Sequence, residues 1–227
     1  MEQRMINSST SYGVARNRVL RNTYALLSLS MVPTLLGAWL GVQMHFTFFA
    51  GSPLLSIVVF LGIAFAFFYG IERFKHSPVG VALLLGFTFF MGLMLSRILQ
   101  ATLGFSNGGQ LIALAAGGTG LIFFGMATLA TVVKRDLSGL GNFLFMGVLL
   151  LLAASIANVF LQIPALFLTI SVLVCAVFSV YLMYDINRVV TGGETNYITA
   201  TLAIYLDVFN IFQSLLSILG VLGGNRD

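Results

Sequence analysis

The sequence predicts an all-α membrane protein with seven transmembrane helices. Three observations carry that prediction. Hydrophobic residues make up 59% of the 227 positions and charged residues only 8%, against about 25% charged in a typical soluble domain. Too few polar side chains exist to coat a water-facing surface. Seven apolar stretches are each long enough to cross a hydrocarbon core of ~30 Å, which takes roughly 20 helical residues. The positive charges alternate from loop to loop in the manner of a polytopic membrane protein.

Taken in order, the stretches are Tyr24–Val42, Pro53–Ile71, Val79–Leu99, Leu111–Val133, Leu140–Phe160, Pro164–Val190 and Tyr197–Leu222. Pro53, Pro78 and Pro164 stand at or just before helix starts, where the missing N–H has no partner to lose. Pro33 lies inside the first stretch and is expected to kink it. The fourth carries Ala113, Gly117, Leu121 and Gly125 at four-residue intervals, with Gly118 and Gly120 beside them. Small residues at that spacing let helices approach closely in lipid, so tight packing of this helix within the bundle is expected. A dinucleotide-binding glycine loop needs a preceding strand, and none is predicted.

The first 23 residues are polar, and no small-residue cleavage site follows the first apolar run, so a removed signal peptide is not expected. Residues 1–23 read as a tail and 24–222 as the membrane domain. Arg4, Arg16, Arg18 and Arg21 lie in the tail, Arg73 and Lys75 in the second loop, Lys134 and Arg135 in the fourth and Arg188 at the sixth. The first, third and fifth loops contain no Lys or Arg. The positive-inside rule then places the amino terminus in the cytoplasm. The formal net charge of +4 is accounted for by these loops and gives no reason to invoke nucleic acid. Cys175 is the only cysteine, which excludes an intrachain disulfide, and His45 and His76 fall in loops on opposite sides.

Charges inside the membrane are rare and costly, so each needs a reason. Arg97 lies late in the third stretch, where its long stem reaches the headgroups. Asp207 sits about ten residues into the seventh, near ~15 Å depth, too deep for so short a side chain to reach water. Thr199, Ala203, Asn210, Ser214 and Ser217 share its face at offsets of three and four residues. That polar seam is expected to turn inward, which makes the seventh helix the least lipid-exposed. Asp185 precedes the sixth loop by seven residues and Asp207 follows it by eleven. The four-residue difference in height is about 6 Å, so the two carboxyls are expected to meet. Two carboxylates in contact in a low-dielectric site cannot both ionise cheaply and should share a proton, which makes a pH switch. The alternative is a hydrogen-bonded Asp207 that only fastens helices together.

At these residues the chain resembles the Bax inhibitor family of membrane proteins, and within it the bacterial YccA-type branch. The resembling segments are Val19-Leu20-Arg21-Asn22-Thr23-Tyr24, Tyr181-Leu182-Met183-Tyr184-Asp185, Gly192-Gly193-Glu194-Thr195-Asn196-Tyr197 and Tyr205-Leu206-Asp207-Val208-Phe209-Asn210-Ile211-Phe212. The resemblance implies a central seventh helix wrapped by the other six. It implies a location in the bacterial inner membrane and a pH-sensitive Ca²⁺ leak in which Asp185 and Asp207 act as gate and sensor. Both would be transient Ca²⁺ ligands, with Asn210 and Tyr184 in support and no bound cofactor. An arginine near the end of the second helix partners the sixth-helix aspartate in the family, and Arg73 is the nearest residue here, across a one-residue gap. The glutamate that some relatives carry in the second span is absent. Some YccA-type relatives are thought to act through a membrane-bound ATP-dependent protease, which makes a non-transporting regulator the competing reading. An intramembrane aspartyl protease is a third. It fits poorly, because Tyr205-Leu206-Asp207 is not a GxGD context and Pro164-Ala165-Leu166 precedes both aspartates instead of following them.

Overall fold

The computed structural model describes residues 2–47, 52–133 and 137–224, with the side chains of residues 2–16, 53 and 138 outside the description. Seven helices fill it: α1 (Glu2–Gln43), α2 (Pro53–Phe74), α3 (Pro78–Leu103), α4 (Gly108–Val132), α5 (Ser138–Leu161), α6 (Pro164–Thr191) and α7 (Tyr197–Gly223). Each contains a segment long and apolar enough to span a bilayer. The chain is a seven-span all-α membrane protein. Lys134 and Arg135 of the α4–α5 loop lie outside the described residues, as do the side chains of Arg4 and Arg16.

Local chemistry sets most helix ends. Pro53, Pro78 and Pro164 occupy the first helical positions of α2, α3 and α6. Ser52 caps α2, accepting from the Leu55 N–H at 3.4 Å. Gly192 ends α6 in the left-handed region at φ +85°, a conformation that costs glycine nothing. Asn196 caps α7 by accepting from the N–H groups of Ile198 at 2.8 Å and Thr199 at 3.3 Å. Its amide also donates to the Lys75 carbonyl at 2.8 Å, which ties the α6–α7 loop to the end of α2. Helix α1 is continuous from Glu2 through the polar tail into the first span and past Pro33 to Gln43.

Helix α7 packs against α1, α2, α3, α4 and α6, whereas α5 leans chiefly on α6. The seventh helix is therefore central, but it is not the most enclosed. The buried share of the spanning segment is 44% in α3, against 39% in both α1 and α7 and 6% in α5. The reason lies in α1 and α3. A Cβ at Gly37 would collide with the Phe89 carbonyl oxygen, and one at Gly92 with the Thr34 carbonyl oxygen. These glycines let two backbones touch along their length. Tyr205 of α7, 1% exposed, locks onto that pair. Its hydroxyl is 2.9 Å from Thr34 Oγ1 on α1 and donates at 3.4 Å to the Thr88 carbonyl on α3.

The expectation for α4 is overturned. A Cβ at Gly117, Gly120 or Gly125 would meet nothing within 4 Å, and only Gly118 faces a neighbour, the Leu215 side chain at 3.2 Å. Ala113, Gly117, Leu121 and Gly125 are exposed. The small-residue ridge points away from the bundle. The sequence spacing shows that a close approach is possible there, but not that a helix of the same chain makes it.

Candidate functional site: a buried carboxyl pair between the sixth and seventh helices

The Gly192-capped turn folds α6 and α7 into an antiparallel hairpin, and that hairpin brings Asp185 and Asp207 within hydrogen-bonding distance. Asp185 is 8% exposed and Asp207 3%. A carboxylate carries no donor, so this contact is a hydrogen bond only when one of the two holds a proton. Asp207 Oδ2 is the one buried side-chain nitrogen or oxygen without a hydrogen-bond partner among the described residues. Chemically, such a pair can hold one shared proton.

A cation closes the pair off at the end of the bundle where α6 and α7 join. Arg188, one turn beyond Asp185 on α6, places Nη1 3.6 Å from Asp185 Oδ1 and Nη2 3.7 Å from Glu194 Oε2. Its guanidinium lies 5.7 Å from the centroid of the Tyr184 ring, within cation–π range. Glu194 is held in turn, accepting from the Asn196 N–H at 2.9 Å. Two residues from Asp185, Asn187 is 1% exposed and donates to the carbonyls of Ala130 at 3.1 Å and Val133 at 2.7 Å. This fastens α6 to the end of α4, where the last carbonyls of a helix have no intrahelical partner.

The structure treats the sequence-predicted residues unevenly. Asp185 and Asp207 come together. Tyr184 lies under Arg188 and against the backbone at Gly141 of α5. Arg73 does not join them: it is exposed at the end of α2 and forms no ion pair among the described residues. The cation beside Asp185 is Arg188, because an i,i+3 partner on the same helix is already within reach. Asn210 turns away from the pair. Its amide donates to the Leu206 carbonyl at 2.8 Å, and it lines a cavity of about 330 Å³ shared by α5, α6 and α7. Within the α7 seam, Asp207, Ser214 and Ser217 are buried, while Thr199, Ala203 and Asn210 are partly so. Arg188, Asn187 and Glu194 went unassigned as site residues in the sequence, although all three stand within nine positions of Asp185.

Among the described residues no group of three or more His, Cys, Asp or Glu side chains is placed to hold a metal ion. Pro164 begins α6, and Asp185 lies 21 residues along it, about 30 Å away at 1.5 Å per residue. The Pro164-Ala165-Leu166 triplet therefore cannot help the aspartates as it would in an aspartyl protease.

A buried carboxyl pair on the last two of seven membrane-spanning helices defines a class of membrane protein rather than a soluble enzyme. The chain belongs to the Bax inhibitor family: the family model described as "Inhibitor of apoptosis-promoting Bax1" matches residues 16–225. It is similar to an uncharacterized protein of Neisseria meningitidis serogroup A, 40% identical over 95% of this chain and 96% of that one. It is also similar to the modulator of FtsH protease YccA of Escherichia coli K12, 36% identical over 91% of each chain. An uncharacterized membrane protein of Vibrio cholerae is 35% identical over 96% of each.

Proposed function

We propose that this chain is a non-catalytic regulator in the bacterial inner membrane, acting on a membrane-bound ATP-dependent protease, with the Asp185–Asp207 pair as its internal switch. The observation that carries this reading is the enclosure of the pair. Arg188 and Glu194 cover it at the hairpin end, and neither aspartate lines the two cavities that open in the other half of the bundle. A pair so enclosed is suited to sensing and fastening rather than to conduction. The likeness to a protein named as a modulator of FtsH protease supports it, as does the likeness to one named as an inner membrane protein. The outward ridge of α4 offers a surface on which another membrane helix can pack closely. The loop charges favour a cytoplasmic amino terminus, which puts Arg188 and Glu194 on the cytoplasmic side.

One observation favours a second reading, the pH-sensitive Ca²⁺ leak. The 330 Å³ cavity reaches Asn210, three residues from Asp207. Loss of the shared proton leaves two like charges in contact, a repulsion of about 4 kcal/mol at 4 Å and an effective dielectric of 20. That is enough to shift a two-state element and to connect the cavity with the pair. Ca²⁺ takes six to eight oxygens, so carbonyls and water would complete the shell.

The two readings separate in one pair of measurements. Affinity purification of the tagged chain from membranes should bring the protease with it, and deleting the chain should change the turnover of a membrane substrate of that protease. In proteoliposomes, Ca²⁺ flux across pH 6–8 should be absent or indifferent to Asp207→Asn. Flux that tracks pH in the unaltered chain and loses that dependence in Asp207→Asn, with no protease association, would establish the leak instead.

A further inference from the structure

A second cleft adjoins the 330 Å³ cavity, sharing Ser155, Val159 and Gln213 with it, and neither aspartate lines it. Its walls come from α2, α3 and α5, its floor reaches α7, and it encloses about 440 Å³. Phe60, Leu61, Leu93, Leu152 and Ile156 make it mainly apolar. Helix α2 packs on α3, and α5 on α6, with no substantial packing of α2 against α5. Leu152 and Val159 line the cleft yet are 43% and 40% exposed. The cleft therefore opens sideways, at the depth of the acyl chains. Each water molecule filling this space would need two to four polar partners. The apolar wall supplies few.

The rim carries one charge. Arg97 lines the cleft, is exposed and has no ion pair among the described residues. It precedes the end of α3 at Leu103 by six residues, about 9 Å, so its guanidinium reaches the phosphate level of the nearer leaflet. Ser155 and Gln213 also line the cleft. Glu72, Asp185, Glu194 and Asp207 are the acids with described side chains, and none lines this cleft. A guanidinium with no ion pair among the described residues, over an apolar slot open to lipid, calls for a ligand with an anionic head and a hydrocarbon tail.

We propose that this cleft binds one anionic phospholipid, its phosphate on Arg97 and one acyl chain lodged between α2 and α5. Arg–phosphate contacts are charge-assisted and frequently bidentate. The lipid would act as packing for α5, whose span is only 6% buried by protein. Nothing in this proposal depends on the protease or leak readings.

The test uses the chain's single tryptophan. Trp39 on α1 is 59% exposed and outside the cleft, so it reports on bulk lipid. In a Trp39→Phe, Phe60→Trp variant the indole reports on the cleft. Vesicles of phosphatidylcholine should carry a minor share of chain-brominated phosphatidylglycerol or, in parallel, of chain-brominated phosphatidylcholine. The brominated phosphatidylglycerol should quench the indole at position 60 with roughly tenfold higher apparent affinity, as a charge-assisted contact implies. Trp39 in the unaltered chain should be quenched equally by both lipids. Arg97→Gln should abolish the preference, and Arg97→Lys should retain part of it. Native mass spectrometry of the otherwise unaltered chain gives a second readout, with phosphatidylglycerol retained over phosphatidylcholine and the retention lost in Arg97→Gln. Equal quenching by both lipids, or a preference that survives Arg97→Gln in either measurement, would overturn the proposal.

Discussion

Gly37, Gly41 and Gly92 lie between α1 and α3, where any side chain larger than hydrogen would strike the opposite helix. Gly117, Gly120 and Gly125 of α4 face nothing within 4 Å. Both regions carry small residues at four-residue spacing, and in lipid that spacing permits close helix contact. Only the first uses it within the chain. The α1–α3 contact is fastened further by Gln100 of α3, which donates to the Gly41 carbonyl at 3.2 Å, and by the Tyr205 hydroxyl. Helix α4 lacks such a contact and is held at its end by Asn187. The same motif therefore builds the core in one place and leaves an open ridge in the other.

A bulky residue in the α1–α3 contact should do the most damage. Gly92→Leu would drive a side chain into the Thr34–Ala38 backbone. Overpacking of this kind costs about 3 kcal/mol or more where neither backbone can move. A protein of ordinary marginal stability loses its fold on that scale. Thermal unfolding in detergent and yield from membranes should both fall steeply, and Gly37→Leu should behave alike. Next in size is Asn187→Ala, which strands one buried and one partly buried carbonyl at the end of α4. We expect a loss of about 1–3 kcal/mol, with hydrogen exchange accelerating first at the end of α4. Tyr205→Phe removes one hydroxyl and leaves the ring in place. Interhelical hydrogen bonds in membranes average about 0.6 kcal/mol, so its unfolding midpoint should drop only slightly.

Much of the architecture was legible in the sequence because a few local rules determine it. Apolar length places the spans. Proline at the first turn, Gly192 after the sixth span and Asn196 before the seventh place the ends. The meeting of Asp185 and Asp207 follows from counting residues on either side of a glycine-capped turn. Partner choice was less legible. The family likeness pointed to Arg73, whereas Arg188 was available one turn along the same helix, a spacing that is itself a sequence signal. The fate of the two glycine sets was not legible at all. Spacing identifies a surface that can be approached, and only the path of the chain decides what approaches it. Gly37 and Gly41 stand four residues apart, as Ala113 and Gly117 do, yet only the first pair meets a helix of the same chain.

The smallest expected effect on stability is also the most informative about function. Gly117→Leu and Gly125→Leu place side chains into open space on α4, both on an exposed face. Substitutions away from packed or hydrogen-bonded features are usually within about 0.5 kcal/mol, and leucine is a better helix former than glycine by several tenths of a kcal/mol. The unfolding midpoint should therefore hold steady or rise. If the ridge serves another membrane helix, the same leucines would hold that helix away, since close approach is what small residues provide in lipid. The double variant should then fold like the unaltered chain yet recover less of the protease in affinity purification. A control is Leu121→Ala, which deepens the groove between the two glycines and should preserve or strengthen the association. Full recovery of the protease with the double variant would show that this ridge is not its docking surface and would move the search to the α1–α4 groove around Tyr24 and Phe123.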